Sequence, residues 1–214
     1  MSPVSFRSLP LTLALSLFVS ATGGCHTPQP LTETQRSLNT VTLAQKSLAT
    51  ANADVGNILT SLDKFSNNPS LSTYQQFVNY TRTVKQHGRD LQNIAAVMSD
   101  QGNTFFAQWD REIAAMTDKG LRAHAEEQRD SVQKSFQQID FQGPVLRDTY
   151  QKFTSDLNNL QTFFDYDKSA QGIAAAASLI DQTREHGGDL EHQLDMQIAN
   201  VGRVRNIFAS MERR

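Results

Sequence analysis

The chain has 214 residues, with 20 Lys and Arg against 22 Asp and Glu, for a net charge of −2. That length suits one substantial domain or a long helical bundle. The basic residues are scattered, with no run longer than the terminal Arg213-Arg214. A nucleic-acid partner is set aside, since it needs a clustered basic footprint.

Residues 1–24 read as a signal peptide. Arg7 precedes the apolar stretch "LPLTLALSLFVSA", which is too short to span a bilayer comfortably. "TGGC" follows and ends on Cys25, the only cysteine, so the chain makes no intramolecular disulfide. Small residues leading from an apolar core into a Cys resemble a bacterial lipoprotein signal, although Thr22 stands where an aliphatic residue is usual. The resemblance implies that Cys25 is lipidated on sulfur and becomes the mature N-terminus. His26, which is not Asp, implies sorting to the outer rather than the inner membrane. The alternative is an ordinary secretory signal cleaved near "ATG", with Cys25 as a free thiol. Both readings export the chain. Residues 25–31, with Pro28 and Pro30, form a short extended tether.

Residues 32–214 are expected to form one helical domain. The first helix is expected over Thr32–Phe65, with an apolar stripe of Leu38, Val41, Leu48, Val55, Leu59 and Leu62 and with Gln45 and Asn52 in seam positions. "SNNPS" ends it, and Ser70 or Ser72 can cap the next helix. The second spans about Ser72–Met116. Its stripe runs Tyr74, Phe77, Thr81, Val84, Gly88, Leu91, Ala95, Met98, Gly102, Phe105, Trp109 in alternating steps of three and four. "TDKG" breaks it. The third spans about Leu121–Phe164, and Pro144 after Gly143 should kink or restart it. "HAEEQRD" (His124 to Asp130) on this helix reads as a solvated face. "DYDKS" is the last turn, with Asp167 or Ser169 as its cap. The fourth helix, about Ala170–Met211, repeats the alternation through Ile173, Ala176, Ile180, Thr183, Gly187, Leu190, Leu194, Gln197, Val201, Val204, Phe208 and Met211. Short connections make these antiparallel neighbours. The expected fold is all-α: an elongated up-down-up-down bundle of about four long helices with coiled-coil-like packing, a rod of roughly 60–70 Å.

One pattern occurs twice, "KQHGRDLQ" at Lys85–Gln92 and "REHGGDLE" at Arg184–Glu191. Gly88 and Gly187 both fall on the apolar seam. A seam glycine lets two backbones approach closely, and it costs about 1 kcal/mol of helix propensity that a tight crossing would offset. The packing reading follows from this. A metal reading uses the flanks, where His87 with Asp90 and His186 with Asp189 offer two imidazoles and two carboxylates at one level. The spacing is wrong for a di-iron bundle, however, and such i,i+3 pairs on a helix edge are commonly solvated hydrogen bonds. Chance recurrence is the third reading. Trp109, one turn from Phe105, reads as core or as the wall of a ligand or partner pocket. No Gly-rich phosphate loop, C-x-x-C or H-E-x-x-H occurs. No catalytic residue and no cofactor is assigned.

"FFAQWDREI", "LRAHAEEQRDSV", "GPVLRDTYQKF" and "SAQGIAAAASLIDQ", in that order, resemble a family of bacterial lipoproteins catalogued only as a domain of unknown function. The resemblance covers most of the chain from Leu31 and implies a lipidated, exported helical protein without assigning catalytic residues. The expected function is non-enzymatic: a scaffold, spacer or interaction module of the envelope, held to the membrane through Cys25 and facing the periplasm. Polar seam residues Gln45, Asn52, Thr81, Thr183 and Gln197 weaken a monomer core and suit a protein partner or self-association. The alternative is a ligand- or metal-sensing bundle.

Overall fold

A computed structural model describes residues 33–212, and in them the all-α bundle is present. The signal-like segment, Cys25 and the tether lie outside the described residues. The order is α1 (Glu33–Asn67), α2 (Leu71–Ala115), α3 (Lys119–Tyr166), α4 (Ala170–Ala175) and α5 (Ala177–Glu212). The main packed pairs are α1 with α2, α2 with α3, α3 with α5, and α5 with α1, a four-sided ring. At 1.5 Å per residue, the 48 residues of α3 make a rod of about 72 Å. No described helix is long and apolar enough to cross a membrane.

The turns explain where the helices begin. Ser70 caps α2: its hydroxyl accepts from the Thr73 amide at 3.2 Å, and its own amide donates to Thr73 Oγ1 at 3.1 Å. Asp118 caps α3 by accepting from the Leu121 amide at 2.9 Å. Ser169 caps α4, and Asp167 accepts from the Ser169 amide just before it. The expected single fourth helix is interrupted once. At Ala176 the backbone opens to φ −87°, ψ 1°, and its amide turns to the carbonyls of Gly172 and Ile173.

Pro144 does not restart α3, which runs through it as one helix. The ring removes the amide that would have served the Asp140 carbonyl, and the helix continues on both sides of it. On α1 the buried face is Val41, Ala44, Leu48, Ala51, Val55, Ile58, Leu62 and Phe65. Leu38, Gln45, Asn52 and Leu59 sit on its half-buried flank. Two of the eight buried positions are alanines, Ala44 and Ala51, on a face that packs against α2 and α5 together.

The core is thickest at the two ends. Near the α1–α2 turn, Phe65, Phe77 and Phe164 are fully buried, with Phe65 and Phe164 edge to face at 4.9 Å. Tyr74 closes this end by donating to Asp165, with Lys168 over its ring at 4.5 Å. Toward the other end, Phe105 meets Phe208 at 4.9 Å, and Phe136 bridges Phe106 and Phe208. Between these clusters the core thins. From Lys85 to Val97 on α2 and from Gln133 to Lys152 on α3, no described side chain is fully buried. Ala95 and Leu91, expected in the seam, are exposed and half-buried respectively.

Candidate functional site

The thin middle is a cleft between α2 and α3 of about 1110 Å³. Its origin lies in how three layers of side chains meet. At one end the Tyr150 ring lies on Gly88, where an added Cβ would come within 2.5 Å of the ring. The Tyr150 hydroxyl donates to the Val84 carbonyl at 2.6 Å. Burial pushes that hydroxyl above its ordinary range, and the carboxylates of Asp54 and Asp90 push it further, so it stays a donor. At the other end the Phe136 ring lies on Gly102, where a Cβ would stand 3.2 Å from it.

Gly88 and Gly102 are fourteen residues apart, and so are Tyr150 and Phe136. Seven residues from each end, Ala95 therefore falls opposite Gly143. A Cβ built on Gly143 would meet nothing within 4 Å. Aromatic-on-glycine layers thus pin the helices at both ends, and a small-on-small layer between them leaves the space open. By helix rise the cleft is about 21 Å long. Leu91, Ile94, Met98 and Leu146 form its apolar sides, with Ala44, Leu48 and Val201 of the bundle core behind them. Gln197 Nε2 donates to the Ile139 carbonyl at 3.2 Å, tying α5 to α3 beside Pro144.

The repeated octapeptides serve packing in a different manner from the one expected. Each glycine receives a side chain, not a neighbouring backbone. Gly88 takes Tyr150, and Gly187 takes Leu59 and Phe153, with a Cβ there 2.8 Å from Leu59 Cδ2. Tyr150 and Phe153 are three residues apart, so the motifs are staggered by about one turn along α3 and not set at one level.

The histidines do not pair with the Asp three residues on. His87 Nδ1 meets Asp54 of α1, and His186 Nδ1 meets Asp156 of α3 at 2.5 Å. The acids they meet are largely buried, with side chains 14% and 7% exposed, so the two histidines are tied inward, whereas Asp189 is exposed and Asp90 is half-buried. Asp156 also accepts from Gln182 at 3.2 Å, and Asp90 accepts from Gln86 at 3.0 Å. His87 and His186 therefore engage different helices. Among the described residues no three His, Cys, Asp or Glu side chains gather as a metal site would require.

Trp109 is half-buried and packs on Phe105 at 5.4 Å. It does not line the cleft, whose wall at that end is Phe106 and Phe136. The charge run expected to be a solvated face contributes one structural residue. Arg129 reaches back to Asp110 on α2 with a pair of hydrogen bonds at 2.9 and 3.1 Å, and stacks over Phe106 at 5.5 Å. Sequence reasoning missed the cleft itself. The heptad-spaced set Gly88, Ala95 and Gly102 was its available signal. No family model, curated protein or solved structure matches the chain.

Proposed function

We propose that the chain is an exported bacterial envelope protein, anchored through a lipidated Cys25, that acts by binding and not by catalysis, with the α2–α3 cleft as its binding face. The observation that carries the binding face is the open layer at Ala95 and Gly143. Two long helices expose apolar side chains there in the middle of an otherwise filled bundle. A pure spacer has no use for such a layer, whereas apolar clefts with a few polar groups at their rim are the usual form of a recognition site. The lipoprotein-like "TGGC" and the family resemblance support the anchored, outer-membrane reading, and His26 supports the sorting.

Two measurements test this. Cys25→Ser should release the protein from the membrane to the soluble periplasmic fraction. Unchanged fractionation would remove the anchor from the proposal. A photo-crosslinking residue placed at position 95 of the full chain in living cells should give a discrete adduct, and one at Tyr166, 93% exposed and far from the cleft, should not. Equal labelling at both positions, or none at 95, would remove the cleft as the binding face.

A further inference from the structure

We infer that the cleft between α2 and α3 takes a single-chain anionic amphiphile, a long-chain fatty acid, with its carboxylate at the Tyr150 end. This rests on the cleft being the binding face. Three features select the chemistry. The first is that the cleft is closed at both ends. Tyr150 on Gly88 and Phe136 on Gly102 pin the helices about 21 Å apart along the axis, so a through-running partner helix cannot seat between them. An acyl chain, which spans about half of a 30 Å hydrocarbon core, fits within that length.

The second feature is the lining. Leu91, Ile94, Met98 and Leu146 offer aliphatic contact along the sides, and the Ala95–Gly143 layer leaves room for a slender chain where any larger pair would block it.

The third is charge. Lys85, Arg89 and Arg147 all line the cleft toward the Tyr150 end, while its one lining acid, Asp140, lies past the middle toward Phe136. The nearby Asp54 and Asp90 are already engaged, by His87 and Gln86. Lys85 and Arg147 have no ion-pair partner among the described residues, and Arg89 donates to Gln86. Cations lining one end of an apolar slot complement an ionised head group. An acyl chain esterified to the protein's own anchor lacks that charge.

The test uses the full chain carrying Cys25→Ser, so that no detergent competes, and titrates it with palmitate below its micellar range. One palmitate should bind saturably. Ala95→Phe and Ser99→Phe, both at exposed positions on the cleft wall, should block uptake while melting as the parent does. Arg147→Glu should weaken palmitate about tenfold, and leave hexadecanol, the uncharged analogue, nearly unchanged. If both Phe variants take up palmitate as the parent does, the cleft is not the site. If Arg147→Glu weakens hexadecanol as much as palmitate, the head-group assignment falls. If the parent takes up no palmitate but residue 95 still yields a discrete adduct in cells, the fatty acid is overturned and the binding face stands. If neither occurs, both are overturned.

Discussion

Glycines of similar sequence differ in what a methyl group would meet. At Gly88 it would enter the Tyr150 ring and at Gly187 the Leu59 side chain, whereas at Gly188 it would meet nothing within 4 Å. Gly88→Ala and Gly187→Ala should therefore each destabilise by about 1–3 kcal/mol, because a packed neighbour must move. Gly188→Ala should instead stabilise by about 0.5–1 kcal/mol through helix propensity alone. Urea unfolding of the three variants checks the signs. The histidines carry a parallel prediction. His87→Ala and His186→Ala each strip a buried carboxylate of a partner and should lose about 1–3 kcal/mol, while Asp90→Asn should stay within about 0.5 kcal/mol. A third residue supplies a pH dependence. Burial, then the neighbouring Asp195, raises the Glu191 carboxyl above its ordinary range. A raised native pKa means that protonation favours the fold: the stability linked to it is complete below the ordinary carboxylate pKa and is lost as pH rises through the native one. Glu191→Gln should accordingly raise Tm at pH 7, and the gain should vanish below about pH 4, where the unfolded chain is protonated as well.

At the scale of the element, α3 shows how far a local rule reaches. Pro144 leaves the Asp140 carbonyl without its helical donor, and the residue before a proline is ordinarily pushed out of the α region. Gly143 eases that restriction because it has no Cβ to crowd the ring, which explains why the helix passes through. Pro144→Ala should restore the missing bond and raise stability by about 1–3 kcal/mol, read as a shift of urea midpoint at unchanged slope. The number of long helices, their turns and most of α5 were legible because heptad stepping and caps are properties of one segment. The α1 seam was misread where Ala44 and Ala51 are buried and their neighbours Gln45 and Asn52 are not. Alanine carries too little apolar area to mark a face when larger residues flank it. The partners of His87 and His186 were illegible for another reason. Asp54 and Asp156 stand 33 and 30 residues away, and only the alignment of neighbouring helices brings them near. The cleft has the same origin. Gly88, Ala95 and Gly102 were visible on α2, but their meaning depends on Tyr150, Gly143 and Phe136 arriving opposite them in register.

Across the whole molecule, stability should be unevenly distributed, and in a way that follows from the ring of four helices. The α1 helix is buried by both of its neighbours along nearly its full length, from Val41 to Phe65, and α5 keeps a continuous buried stripe from Ile180 to Phe208. These two helices form the spine. By contrast, α2 and α3 are held to the spine and to each other at the aromatic ends, and along the cleft Met98 is their only buried large side chain among the described residues. Amide exchange tracks the free energy of local opening, and that free energy is set mainly by buried contacts. Native-state exchange should therefore release residues 89–97 of α2 and 138–149 of α3 before any part of α1 between Val41 and Phe65. Their neighbours in the same helices, around Phe77 and Phe153, should exchange with the spine. Gly88→Ala disturbs one closure of the cleft and should extend the fast-exchanging stretch of α3 toward Phe153. It should leave the Phe105–Phe136–Phe208 end unchanged, because that end is pinned independently. Uniform protection along all four helices would mean that the clusters and the middle open together, and that the cleft is no weaker than the core around it.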